Sequence, residues 1–348
     1  MRNFRIKKSV VFTLALLLIV PLAKVCFSAD PDPALVQAAK KEGKAVVYSQ
    51  WHRNVVDTLA KDYEKKYGIP VVWTRKNTGG IVQLVEAEVR SGQIRCDVAG
   101  VGNPSIAINW VRRGLFQEFV PNGMKEITPA FQPKGELAKM VVPRFVNVQS
   151  LSYNTKVVKK EEAPKSWKDL LDPKWKGKIC FPDPRKSAPG AMVVDVLRIL
   201  YGWDFVEKFA KMDLFIVGGG PAVYQTVVLG EAAIGAATNA HSVFQLIKKG
   251  EPIDQVFLED GSPGSLQFAG VMKGAPHAAA GKLWLEHVIS YESQKKVAEK
   301  YFYAPVHSRV PKIHDKYKIK YLDADHSWLL DHAAEQSNKF MALVKKAK

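Results

Sequence analysis

Residues 145–191 read FVNVQSLSYNTKVVKKEEAPKSWKDLLDPKWKGKICFPDPRKSAPGA. The stretch opens as an extended apolar run ending at Tyr153-Asn154, continues as a polar connection punctuated by prolines, and returns to an apolar strand at Ile179 to Phe181. Asp183-Pro184-Arg185-Lys186 then leads through Ser187-Ala188-Pro189-Gly190-Ala191 into an apolar helix, Met192 to Leu200. Free N–H groups at that helix start, the macrodipole, the Ser187 hydroxyl and the cations Arg185 and Lys186 all favour an anion. The whole reads as a strand crossing between two lobes that ends at an anion-holding helix start.

Strand and helix alternate regularly on both sides of this stretch. Upstream, Ala45 to Tyr48, Val71 to Trp73 and Val98 to Val101 read as strands. Between the first two, Asn54 caps a helix carrying Val56, Leu59, Ala60, Tyr63 and Tyr67 on one face, stopped by Gly68. Downstream, Leu214 to Val217 and Ala233 to Ala236 are strands; Gly218-Gly219-Gly220-Pro221 opens one helix and another runs to Lys249. This β-α-β-α-β order, occurring twice, implies parallel sheets with right-handed crossovers. Val141 to Tyr153 is the outbound crossing, and Leu266 to Met272, after the loop Gly261-Ser262-Pro263-Gly264, is the return.

The first residues, MRNFRIKK, are basic; an apolar run from Ser9 to Ala23 follows, then Cys26-Phe27-Ser28-Ala29, and residues 1–28 read as an export signal. The run falls short of the ~20 residues that span a bilayer. Cys26 raises a lipoprotein alternative, with which Lys24-Val25 fits poorly. Losing Arg2, Arg5, Lys7, Lys8 and Lys24 lowers the formal charge by five, from +17 to +12. A field of that sign suits anionic solutes. No zinc knuckle, RNP-like or helix-turn-helix pattern accompanies the lysines, so nucleic acid is not an expected partner. Cys96 and Cys180 fall in different lobes and are expected to be buried, unbridged thiols.

Several ordered segments carry a family resemblance: VVYSQWHRNVVDTLAKDYEKKYGIPVV (46–72), CDVAGVG (96–102), LSYNTKVV (151–158), SWKDLLDPKWKGKI (166–179), LGEAAIGAATNAH (229–241) and FAGVMKGAPHAAAGKLWLEHVISYESQKKVAEKYFYAPV (268–306). Taken in order, they resemble the extracellular solute-binding proteins of bacterial ABC importers, in the branch holding ferric-ion, thiamine, phosphonate and sugar-phosphate binders. The resemblance implies an α/β, two-lobed type II periplasmic-binding fold, with each lobe a mainly parallel sheet flanked by helices. Lobe 1 is expected over residues 30–145 and 266–311, lobe 2 over 152–262 and 312–348, with hinge crossings near 146–151 and 263–265. It further implies a periplasmic monomer that closes on a small ligand and delivers it to a membrane permease.

Ligands in open parallel sheets bind beyond the carboxyl ends of strands. The candidate ligand-binding residues are therefore Gln50, Trp51 and His52; Asn77, Thr78, Gly79 and Gly80; Asn103; Arg185, Ser187, Gly190 and Ala191; Tyr224; and Asn239 with His241. Trp51 offers a stacking face, and Tyr301 to Pro305 passes close to the cleft. In the resembling ferric-ion binders the helix start corresponding to Ser187 holds a synergistic phosphate, and an adjacent tyrosine pair follows a lobe-two strand. Here Ala237-Thr238-Asn239-Ala240-His241 occupies that place, so the usual iron site is not expected despite His52. The alternatives are an atypical ferric site, a softer metal or a carboxylate between His52 and His241, or a thiaminase-like enzyme using Cys180. No G-x-S-x-G, H-E-x-x-H, P-loop or dinucleotide motif is present. The expectation is a non-enzymatic binder of a phosphate-, phosphonate- or carboxylate-bearing solute, with no metal and no cofactor.

Overall fold

The computed structural model describes residues 30–311 and 319–347; the expected export signal with Cys26, and residues 312–318 of the expected second lobe, lie outside these. After α1 (Pro33–Glu42) come β1 (Ala45–Ser49), α2 (Arg53–Tyr67), β2 (Val71–Arg75), α3 (Thr78–Ser91), β3 (Val98–Val101) and α4 (Pro104–Arg112). The long strand β4 (Val142–Asn154) leads to β5 (Ile179–Pro182), α5 (Ala188–Ala210), β6 (Phe215–Val217), α6 (Gly220–Leu229), β7 (Ile234–Asn239), α7 (Ala240–Lys248) and β8 (Ile253–Val256). Then β9 (Ser262–Val271) returns, followed by α8 (Ala278–Ile289), α9 (Tyr291–Tyr301), β10 (Ala304–Pro305), β11 (Tyr321–Leu322) and α10 (His326–Lys346).

The strands join in the order β2-β1-β3-β9-β4-β7-β5-β6. Parallel pairing holds β1 between β2 and β3, and β5 between β6 and β7. These two parallel sets are linked through β4 and β9, which run antiparallel to each other and to β7 and β3 respectively. Residues Val142 to Val148 of β4 face β9, whereas Gln149 to Asn154 face β7 and β8. One strand thus belongs to both halves, and it is buried along nearly its whole length although polar residues interrupt its apolar run.

Local sequence explains the helix limits. Helix α2 buries Val55, Val56, Leu59, Ala60, Tyr63 and Tyr67, and Gly68 ends it in the left-handed conformation at φ 72°. It starts two residues earlier than expected, because His52 rather than Asn54 takes the cap position. Ser187 caps α5, which begins at Ala188 with proline in its first turn. The two largest cores match the two parallel sets: Val47, Leu59, Tyr63, Phe145 and Trp284 in one, Trp167, Phe181, Phe209 and Phe340 in the other.

One expected loop is a strand. Gly261 to Gly264 carries turn residues, yet β9 starts at Ser262. Gly264 is paired with Val148 of β4, where a Cβ would stand 3.3 Å from Val146, and Pro263 pairs with Leu322 at the edge strand β11. Tertiary pairing overrides turn composition here.

Helix α10 packs on α5 and also reaches α4. Gln336 Nε2 donates to Ala191 O at 3.0 Å, Ser337 Oγ to Pro184 O at 3.2 Å, and Ser105 Oγ to His326 O at 2.7 Å. Among the described residues no helix is long and apolar enough to cross a membrane.

Candidate functional site

A cavity of about 240 Å³ opens where the carboxyl ends of the two parallel sets meet. Gln50, Trp51 and His52 enter it after β1, Thr78 at the start of α3, and Gly102, Asn103 and Ser105 after β3. From the other side come Ala188, Pro189, Ala191 and Met192 of α5, with Asn239 at the end of β7 and His241 in α7. The long strands contribute Asn147, Ser265 and Gln267, and the rest of the lining is Tyr303 with His326, Leu329 and Ala333 of α10. Of the residues chosen from sequence, Gln50, Trp51, His52, Thr78, Asn103, Ala191, Asn239 and His241 share this cavity.

The remaining candidates do not line it, each for a physical reason. Arg185 is committed to Asp183, donating from Nε at 2.9 Å and Nη2 at 2.6 Å, on the exposed side of the loop. That pairing holds the Asp183 carboxyl below its usual range. Ser187 Oγ accepts from Gly190 N at 3.4 Å, and Pro189 has no N–H, so few donors at the α5 start remain free. Gly190 is explained by packing, because a Cβ there would stand 2.8 Å from Pro182 O. Asn77 caps α3 by accepting from Gly80 N at 2.8 Å, and neither Gly79 nor Gly80 reaches the cavity. Tyr224 packs beside Val227, Val243 and Ile253.

Trp51 is fixed rather than open for stacking. It is 3 % exposed, meets Phe145 edge-on at 5.2 Å between ring centres, and donates from Nε1 to Gln267 Oε1 at 2.7 Å. The Arg144 guanidinium covers one ring face at 4.1 Å. Arg144 Nη2 also donates to Gln50 Oε1 at 3.3 Å, and Gln50 Nε2 lies 3.5 Å from Gln267 Oε1. Burial pulls the Arg144 guanidinium down to about 9.

The imidazoles of His52 and His241 do meet, with ring centres 5.8 Å apart in an edge-on arrangement. His241 stacks on Tyr303 at 4.0 Å. Burial and, secondarily, the charge of Arg75 lower the pKa of His52, favouring the neutral ring. His326 shares Asp323 through Nε2 at 2.8 Å, while its buried Nδ1 has no partner. Among the described residues no group of three or more His, Cys, Asp or Glu side chains is arranged to hold a metal ion. Cys180 is fully buried, its thiol pushed up to about 12 mainly by desolvation, which leaves no thiolate for nucleophilic work. Cys96 and Cys180 are both unbridged.

Sequence reading missed Asn147, Ser265 and Gln267 because β4 and β9 were taken only as crossings. Their signal was present: polar residues at alternate positions in otherwise apolar strands, Asn147 and Gln149 on one, Ser265 and Gln267 on the other. The α10 residues had no such signal, since their place depends on a helix folding back from a distant segment.

Two α/β halves sharing long strands, with a cavity at the facing strand ends, define a two-sided solute-binding architecture. The chain belongs to the bacterial extracellular solute-binding protein family, whose model matches residues 98–327. A putative 2-aminoethylphosphonate-binding periplasmic protein of Salmonella typhimurium is 24% identical over 269 residues, 74% of this chain and 75% of that protein. The same fold occurs in a substrate-binding protein of an ABC transporter from Agrobacterium tumefaciens, with TM-score 0.74 and 14% identity over 88% of this chain and 94% of that one. It occurs again in the periplasmic binding protein AfuA of Actinobacillus pleuropneumoniae, solved with fructose-6-phosphate, with TM-score 0.69 and 23% identity over 87% and 97%. Other relatives are named for iron uptake and for γ-aminobutyric acid. The chain is therefore an extracellular, periplasmic-type solute-binding protein, a non-enzymatic binding component.

Proposed function

We propose that this chain, acting as a monomer, captures a small anionic solute in the cavity and closes on it by a hinge motion of two lobes about β4 and β9. The observation that carries the reading is the composition of the wall: among the described residues its lining holds amides, hydroxyls, imidazoles and a helix start, but no Asp or Glu. A cationic group, or the ammonium of a zwitterion, would be desolvated there without a carboxylate to meet it. Beside the cavity, a shallower depression shares His52 and carries Arg53, Arg75 and Lys76, again with no acid. Such a mouth raises the local concentration of anions. The buried Asn147 Oδ1 lacks a hydrogen-bond partner among the described residues and suits a ligand hydroxyl. These features favour a hydroxylated phosphate or carboxylate, of which fructose-6-phosphate is a convenient probe.

Thermal denaturation with fructose-6-phosphate, inorganic phosphate, 2-aminoethylphosphonate, γ-aminobutyrate, Fe(III) citrate and a diamine tests this, because a ligand of the folded state raises the melting temperature by mass action. The largest rise is expected for a phosphate-bearing solute. A rise confined to Fe(III) or to the diamine would end the anion reading.

A further inference from the structure

Behind the cavity wall stands a buried arginine. Arg144 is 3 % exposed and, among the described residues, has no carboxylate within ion-pair distance; the charged or titratable group that bears on it is the Tyr303 phenol. Its Nε is buried without a hydrogen-bond partner. An isolated buried guanidinium is costly, and apolar replacement of buried charge is often neutral or stabilising. Nevertheless the fold is shaped around it. Strand β4 slips register between Pro143 and Phe145, the bulge that re-aims Arg144, and Gln294 Nε2 takes up the bulged carbonyl at 2.7 Å. Across the sheet, Gly100 of β3 leaves room: a Cβ there would stand 2.6 Å from Nη1.

We propose that Arg144 is the positioning charge that selects a negative ligand, acting through Gln50, Trp51 and Gln267 rather than by touching the solute; this rests on the anion reading above. The hydrogen bonds have one direction. Gln50 turns its oxygen to the guanidinium, so its nitrogen points toward Gln267 Oε1, which also accepts from Trp51 Nε1. With that oxygen used, Gln267 offers the cavity its amide nitrogen, a donor. Each bond polarises the next in a low-dielectric setting. The wall thereby presents a donor backed by a full positive charge, which an anion answers and a cation does not.

Arg144→Met removes the charge and keeps most of the bulk. In the full chain, the ligand-free variant is expected to melt at or above the wild type, while its affinity for fructose-6-phosphate falls by about thirtyfold or more. Arg185→Met, at the paired arginine outside the cavity, should bind that probe as the wild type does. A ligand-free Arg144→Met protein that melts several degrees below the wild type would make Arg144 structural and overturn the proposal. If fructose-6-phosphate and inorganic phosphate shift wild type and variant equally, the role of Arg144 fails alone. If no anion shifts the wild type, the anion reading fails and this proposal with it.

Discussion

Arg185 and Arg144 both lie outside the cavity lining and differ in almost every physical respect. Arg185 follows an acid by two residues, sits exposed in a loop, and spends its guanidinium on Asp183. Arg144 lies in a mostly apolar strand and ends up buried, with no carboxylate paired to it among the described residues. A cation beside an acid in sequence is neutralised locally, whereas a cation isolated in a core strand must be tolerated for a reason. The first looked functional because it was visible; the second is where charge is stored.

The largest expected effect tests the scaffold under Arg144. Phe145 is fully buried between Trp51 and Tyr303, and Phe145→Ala should cost about 3–5 kcal/mol in chemical denaturation. A much smaller loss would mean that the wall holding Trp51 is not rigid.

His287 sharpens the contrast between buried bases. Like Arg144 it is buried, but it can shed its proton, and desolvation lowers its pKa to about 4. The folded state therefore holds the ring neutral. Its contribution is fully present above the unfolded value of about 6.5 and is lost as pH falls toward 4, amounting to about 3 kcal/mol. Stability measured across this range should decline toward acid, and His287→Gln should flatten the decline. An unchanged slope would place the acid sensitivity elsewhere.

Two glycines extend the comparison. Gly100→Ala drives a methyl into the Arg144 guanidinium, which Trp51 and Gln50 hold in place, at a cost of about 1–3 kcal/mol. Gly79, in contrast, has no atom nearer than 3.9 Å to a new Cβ, and Gly79→Ala should leave the melting temperature within error. Equal effects would show that Arg144 can move aside. Smallest of all, Arg185→Met should leave probe affinity within about twofold, because Arg185 does not line the cavity; a clear loss measured by calorimetry would restore the loop to the site.

The alternation of strands and helices, and the cavity residues that directly follow β1, β2, β3 and β7, were legible because period and turn chemistry are local. Gly190 and Ser187 were read as ligand-facing, but the packing of α5 on Pro182 and the capping of Gly190 account for them. Gln267 carried a local signal, a polar residue in an apolar strand, whereas Arg144 escaped notice because its role depends on the pairing of β4 with β9 and on a bulge, neither of which is encoded in neighbouring residues. The α10 contribution depends on contacts such as Gln336 to Ala191, which join distant segments.

Equilibrium dialysis decides whether the cavity selects negative charge through Arg144. Wild type and Arg144→Met would be dialysed against a bacterial metabolite extract split into anionic, neutral and cationic fractions, with retained solutes identified by mass spectrometry. The expected result is enrichment by the wild type from the anionic fraction, lost in the variant. Enrichment from the cationic fraction, or equal retention by both proteins, would contradict it.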